Sequence, residues 1–350
     1  MAFSQWRAAM SRLTRLRSSA FIRNAPPPPM GHIKILQSNI PYRTILIFTS
    51  GGATAFALTQ AIERTPLEKT VKEASSPPST VPQVLDVKAA TARLQEVERT
   101  VPATRVGDVE IPEHHIVRFG SNFPIEDEYV SATAPGPGGK MWHYWGVFDG
   151  HAGAATSAHL RSHLIPALTS ALSPLPPNPP NTTLTSTVQR AFTALDTALL
   201  TTATTVIATT PTITSAALTA LAPALSGSCA LLSLYNPRTR SLTTACVGDS
   251  RAVLGRWNPA TNAYAALPLS VDQTGFSALE AERIAAEHPG EDEVVDPKTG
   301  RVLGLAVSRA FGDARWKLPR AVVRGWMQRF WGYGERPGYK TPPYLSAEPV

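Results

Sequence analysis

Residues Ser226–Leu254 read SGSCALLSLYNPRTRSLTTACVGDSRAVL. Within this stretch and just beyond it lie three apolar, β-prone runs: Ser228–Tyr235, Leu242–Val247 and Ala252–Trp257. Asn236-Pro237-Arg238 opens the segment between the first two and is a turn signal. Gly248-Asp249-Ser250 joins the second to the third. Connections this short make sequential strands antiparallel neighbours. They also leave Asp249 beside an apolar core, where a carboxylate is costly unless its charge is compensated.

Working outward, Trp142–Phe148 is a short aromatic strand that ends in Asp149-Gly150-His151. Ala152–Leu172 reads as helical, with a kink or break expected at Pro166. Ser173–Pro180 is proline-rich and reads as a loop. Leu184–Leu200 has helical spacing of Val188, Phe192, Leu195 and Leu199, and the Thr- and Ala-rich stretch after it, to Pro223, is ambiguous. Ala278–His288 carries Glu and Arg at helical spacings. Helices followed by runs of antiparallel strands predict an α+β architecture, with sheets packed face to face and helices outside.

The formal charge of +7 sits in the N-terminus. Arg7, Arg12, Arg15, Arg17, Arg23, Lys34 and Arg43 precede Thr44 with no acid among them, and the rest of the chain balances 26 basic against 26 acidic residues. That balance argues against a nucleic-acid-binding face on the folded part. Residues 1–43 have the composition of a mitochondrial transit peptide followed by a basic, proline-rich segment. Residues 44–62 lack formal charge and approach the roughly 20 residues of a membrane span. They read as a candidate inner-membrane anchor or as a buried or interfacial helix. A span would place the following domain in the intermembrane space, while complete import would place it in the matrix. Residues 63–110 read as a linker, with a short helix around Lys88–Arg99, and the folded domain is expected over 111–350. Cys229 and Cys246 lie in apolar runs and read as buried, reduced thiols.

Four acidic constellations stand out: Glu126-Asp127, Asp149-Gly150-His151, Gly248-Asp249-Ser250-Arg251 and Ser308-Arg309-Ala310-Phe311-Gly312-Asp313. Carboxylates, backbone carbonyls and water are the ligands that Mg²⁺ and Mn²⁺ prefer. Taken singly, an Asp beside a Gly is more often a turn, and Asp313 reads as fixing a loop. His159 and His163, spaced i, i+4 without an acidic partner, read as ordinary helix residues.

The pieces PIED, WGVFDGHAG, the quoted 226–254 stretch and RVLGLAVSRAFGD run in one order across residues 122–350. In that order the chain resembles the type 2C family of metal-dependent serine/threonine protein phosphatases. The resemblance implies an α-β-β-α sandwich of two antiparallel sheets flanked by helices, with a two-metal Mg²⁺ or Mn²⁺ site at one edge. Carried over by position, Asp149 bridges the two ions, while Glu126 and the Gly150 carbonyl serve the second. Asp127 orients metal-bound water, His151 is the general acid, and Asp249 helps to hold a third, weaker ion. Ser121–Asp127 (SNFPIED) and Asp272-Gln273-Thr274-Gly275, leading to Glu287–Glu291 (EHPGE), are similar to the pyruvate dehydrogenase phosphatase branch. There Asn122 replaces a phosphate-binding arginine, and Arg118 is the nearby substitute. A phosphoprotein, the pyruvate dehydrogenase complex above all, is the partner this branch implies.

The resemblance also implies two further metal-binding aspartates beyond Val350, so the chain reads as a C-terminally truncated form with an incomplete fold. The alternative is a catalytically impaired, phosphatase-fold regulatory or binding protein. Gly325–Tyr344, with Trp326, Phe330, Trp331, Tyr333 and Tyr339 among Arg329, Arg336 and Lys340, reads as an insertion. It is either a docking surface for a protein substrate or a loop packed on its own domain.

Overall fold

The computed structural model describes residues 86–107, 109–120, 124–210, 212, 214–326 and 338–350, and the backbone alone of 45–49. All of these belong to one compact unit.

The first element is a strand, Ile45–Thr49 (β1). This corrects the helical expectation for the start of residues 44–62. ILIFT is β-branched and aromatic, and it finds a partner strand, so it adopts the pleated form it favours. Residues 50–62 and 1–43 lie outside the described residues. Asp86 then caps the helix Val87–Glu96 (α1), its side chain accepting from Ala89 N at 2.7 Å. Residues 98–106, expected as tether, instead form strands. Glu98–Val101 (β2), Thr104–Val106 (β3), Val109–Ile111 (β4) and His114–Val117 (β5) pair β2 with β5 and β3 with β4. Val109 and Ile111 are buried, so the folded region begins ahead of residue 111.

Glu128–Pro135 (β6) and Met141–Phe148 (β7) form an antiparallel pair, and Gly150–His151 (β8) follows. Three helices come next: Ala155–Leu172 (α2), Asn181–Thr209 (α3) and Ser215–Leu225 (α4). Pro166 does not break α2. It stands on the exposed side, where water can meet the carbonyl its missing N–H leaves free. Leu160, Leu164, Leu168 and Leu172, four residues apart, form one buried stripe on this helix. Burying each contributes about 2 kcal/mol.

Gly227–Ser228 (β9), Ala230–Asn236 (β10), Ser241–Val247 (β11), Arg251–Asn258 (β12) and Ala263–Pro268 (β13) fall close to the expected strands. The order β11-β10-β7-β6 makes the central antiparallel sheet, and β1-β12-β13 makes a second. Ala230, Leu232 and Leu234 of β10, with Tyr144 and Phe148 of β7, face the leucine stripe of α2 and Val188 and Phe192 of α3. The opposite face carries Leu231 and Cys246, which pack on Ala252 of β12 and on Leu269. On that same face His143 hydrogen-bonds Ser131 and Thr133, and His114 of β5 closes over Ser131 at 2.9 Å. Helices with antiparallel sheets make the fold α+β.

Ala278–Glu287 (α5), Phe311–Gly312 (β14), Ala314–Lys317 (α6) and Arg320–Trp326 (α7) complete the described elements. Helices α5, α6 and α7 pack with the ends of α3 and α4 in a second core that includes Leu199, Leu221, Ile284 and Tyr344, while Phe311 of β14 joins the first. Among the described residues, α3 is long and apolar enough to cross a membrane by length and composition. Its apolar stripe is spent on the core.

Candidate metal centre

Strand β7 is buried up to Phe148, and the next residue, Asp149, leaves the sheet at its edge. The Asp149 carbonyl accepts from the N–H of Cys229, which joins β9 to β10 (2.9 Å). Asp249 reaches the same edge from the turn between β11 and β12. The carboxylates of Asp149 and Asp249 and the thiol of Cys229 offer ligand atoms that all lie within 4.8 Å of one another. Asp127 lies near enough for its negative charge to act on Asp149.

Glu126 is drawn in by its backbone and by its side chain. Its carbonyl packs on Gly150, where any Cβ would collide with it, and accepts from the Ser157 hydroxyl. Its Oε1 accepts from Gly153 N at 3.1 Å, while Oε2 is buried with no hydrogen-bond partner. The motifs PIED and FDGHAG, 22 residues apart from Glu126 to Phe148, are thereby brought to one place.

The electrostatics are those of crowded, desolvated acids. Burial first, then the negative charges of Asp127 and Asp249, push the Asp149 pKa up to about 8. Burial raises Asp249 and Glu126 as well. His151 is the cation felt by Glu126, Asp149 and Asp249. Burial works against a charged His151 ring, but Asp313, Asp149 and Asp249 outweigh it and hold the His151 pKa above its usual value.

Asp313 was expected only to fix its loop. It is also the histidine's partner, with His151 Nε2 to Asp313 Oδ2 at 2.7 Å and the aspartate 1% exposed. Asp313 takes a left-handed backbone (φ 49°), a conformation Asp tolerates better than most residues. The turn is held from α3. Asp196 Oδ1 accepts from Gly312 N (2.8 Å), and Lys317 Nζ donates to Asp196 Oδ2 and to the Ala310 carbonyl (both 2.6 Å). Gly227 fills the remaining wall, since a Cβ there would collide with both His151 Nε2 and Asp313 Oδ2. Nothing local in the sequence linked Asp313 to His151, which lies 162 residues away.

The other expected residues divide as follows. Gly150 is buried beneath Glu126. Arg118 lies at the edge, its Nε donating to the Asp127 carbonyl (2.8 Å) and its Nη2 to Glu128 (3.0 Å). Asn122 lies outside the described residues. So does 327–337 of the Gly325–Tyr344 segment, but Tyr339 and Tyr344 pack in the domain's own core. His159 and His163 stack on α2 at 4.0 Å between ring centroids. Cys229 and Cys246 are free and buried.

The donor set suits a hard divalent cation. It is mainly carboxylate oxygen, it is short of counter-charge, and it includes the orphaned acceptor Glu126 Oε2.

A family model described as protein phosphatase 2C matches residues 120–350. A protein phosphatase 2C homolog of Schizosaccharomyces pombe is 38% identical over 272 residues, covering 75% of this chain and 60% of that protein. The mitochondrial pyruvate dehydrogenase (acetyl-transferring) phosphatase 1 of Saccharomyces cerevisiae is 35% identical over 263 residues, covering 68% of this chain and 44% of that protein. This chain thus spans about half the length of these two curated relatives. A crystal structure of a phosphatase from a pathogenic strain of Toxoplasma gondii aligns at a TM-score of 0.40 and 21% identity, covering 66% of this chain and 68% of that one.

Proposed function

Because the chain belongs to the protein phosphatase 2C family, we propose that it is a metal-dependent protein serine/threonine phosphatase. The observation that carries this reading is the convergence of Glu126, Asp127, Asp149 and Asp249 beside a paired histidine. Asp149, Glu126, the Gly150 carbonyl and Asp249 would hold Mg²⁺ or Mn²⁺, two ions at the centre and a third, weaker one at Asp249. When bound, such ions supply acidified water and positive charge opposite the phosphate. Asp127 orients the attacking water.

His151 donates the proton to the departing serine or threonine oxygen. Its Nε2 is engaged by Asp313, which leaves the Nδ1 proton for that transfer. Arg118, anchored on the Asp127 carbonyl, supplies a guanidinium at the rim for the substrate phosphate.

The name of the yeast relative and the SNFPIED and DQTG motifs support phosphorylated pyruvate dehydrogenase as the substrate and the mitochondrion as the location. The acid-free N-terminus supports import. The test is Mn²⁺-dependent release of phosphate from a phosphoserine peptide and from phosphorylated pyruvate dehydrogenase by the full chain. Turnover that vanishes with Asp149→Ala supports the assignment. Manganese uptake without turnover would favour the regulatory, phosphatase-fold reading instead.

A further inference from the structure

The centre contains one donor that hard-cation chemistry does not call for, the thiol of Cys229. From the Asp149–Cys229–Asp249 cluster we infer that this edge of the centre is also a site for a thiophilic divalent cation, Zn²⁺ or Cd²⁺, with Cys229 sulfur as a ligand. The inference rests on the reading of this cluster as a metal centre and adds to it a ligand of different chemistry.

The geometry carries it. Three donors arrive from three different chain positions, the end of β7, the β9–β10 junction and the β11–β12 turn, and their ligand atoms already lie within 4.8 Å of one another. Zinc–sulfur and zinc–oxygen bonds of about 2.3 and 2.1 Å put two tetrahedral ligands about 3.6 Å apart. Cys229 Sγ and Asp249 Oδ1 stand 3.4 Å apart without any adjustment. The backbone ties Cys229 to the third donor's residue, since Cys229 N donates to the Asp149 carbonyl.

The surroundings agree. Cys229 is 2% exposed, so its sulfur cannot serve as a surface thiol. Burial and the two carboxylates hold the metal-free thiol protonated. On binding, the sulfur–metal bond forms and the thiol proton leaves to solvent. Two carboxylates and one sulfur fill three tetrahedral positions and leave the fourth for water. Glu126 Oε2, a buried acceptor with no partner, belongs to the same centre through the contact of the Glu126 carbonyl with Gly150, the residue after Asp149. The second cysteine is the natural control. Cys246 Sγ faces the Gly248 and Ser250 carbonyls, and among the described residues no metal-ligating cluster includes it.

The experiment is a titration of the purified full chain with CdCl₂, following the ultraviolet thiolate-to-cadmium charge-transfer band. A saturable band at one equivalent is expected, abolished by Cys229→Ser, weakened at least tenfold in affinity by Asp249→Asn and kept by Cys246→Ser. Asp249→Asn retains both thiols and guards against a Cys229 variant that does not fold. Manganese uptake, read separately by electron paramagnetic resonance, should survive in Cys229→Ser. A band that persists in Cys229→Ser, or that is lost equally in Cys246→Ser, would overturn the inference. Manganese binding with no cadmium–thiolate band sinks the sulfur site and leaves the phosphatase reading standing. Uptake of neither ion sinks both.

Discussion

Two acid-rich regions of the molecule, one half-buried and one buried, are built on opposite principles. Around Asp149 the carboxylates crowd one another, and burial raises their pKa values. On α5 Glu280 is buried, yet it is ionised. Arg309 donates to its Oε1 through Nε and Nη2 (2.9 and 2.8 Å), and Arg283 and Ser308 bind Oε2. Burial alone would raise the Glu280 pKa, but these donors outweigh it and bring it to about 2. Arg309 also binds the Glu348 carbonyl, so the pair ties α5 to the chain's last residues. An acid that brings its own cations builds structure. An acid cluster short of them has the chemistry to take a cation from outside.

Substitutions can break this contrast. The largest effect belongs to Asp149→Ala, where manganese-dependent turnover should fall about 10⁴-fold, roughly 5 kcal/mol of transition-state stabilisation, with the fold intact by circular dichroism. Glu280→Ala should do the reverse. Removing Glu280 leaves the buried Arg309 without a carboxylate partner and should cost about 4 kcal/mol of stability in urea unfolding, while activity per folded molecule stays near that of the parent. An unchanged urea midpoint would erase the distinction.

Asp313→Asn tests the histidine. It should slow turnover about 10²-fold. With the negative partner gone, the His151 pKa falls, so the alkaline limb of the pH–rate profile moves to lower pH.

The two regions should also differ in sign against pH. The raised Asp149 pKa favours the folded, chelator-treated protein most below the ordinary carboxylate range, an advantage lost as pH rises toward about 8. Manganese at ten times its Kd should restore about 1.4 kcal/mol of stability. Glu280 acts oppositely. Its contribution is complete above the ordinary glutamate range and is lost as pH falls toward 2. Thermal melts from pH 3 to 9, with and without manganese, separate the two.

What could be read from residue order was whatever depends on neighbours. The strands around Asn236-Pro237-Arg238 and Gly248-Asp249-Ser250 appear within a residue or two of their expected ends, because apolar runs and turn residues are local signals. Asp149 and Asp249 drew attention in the sequence because an acid at a strand end needs a reason. The errors were of another kind. Ile45–Thr49 has the hydropathy of a membrane segment, and only the distant β12 makes it a strand. Residues 98–106 look polar enough for a tether, and only their pairing partners draw them into the domain. The role of Asp313 depends on a contact across 162 positions, through a turn fixed by Asp196 and Lys317. Cys229 and Cys246 are the free, buried thiols their apolar runs predict, and only the contact of Cys229 with Asp249 was not legible in them.

Gly227 has a consequence of its own. It is the bare floor on which His151 and Asp313 meet, and a single methyl group would act there as a wedge. Gly227→Ala is therefore a way to pry the dyad apart while both titrating groups stay in the chain. In any lineage that keeps this pairing, the floor has to stay empty.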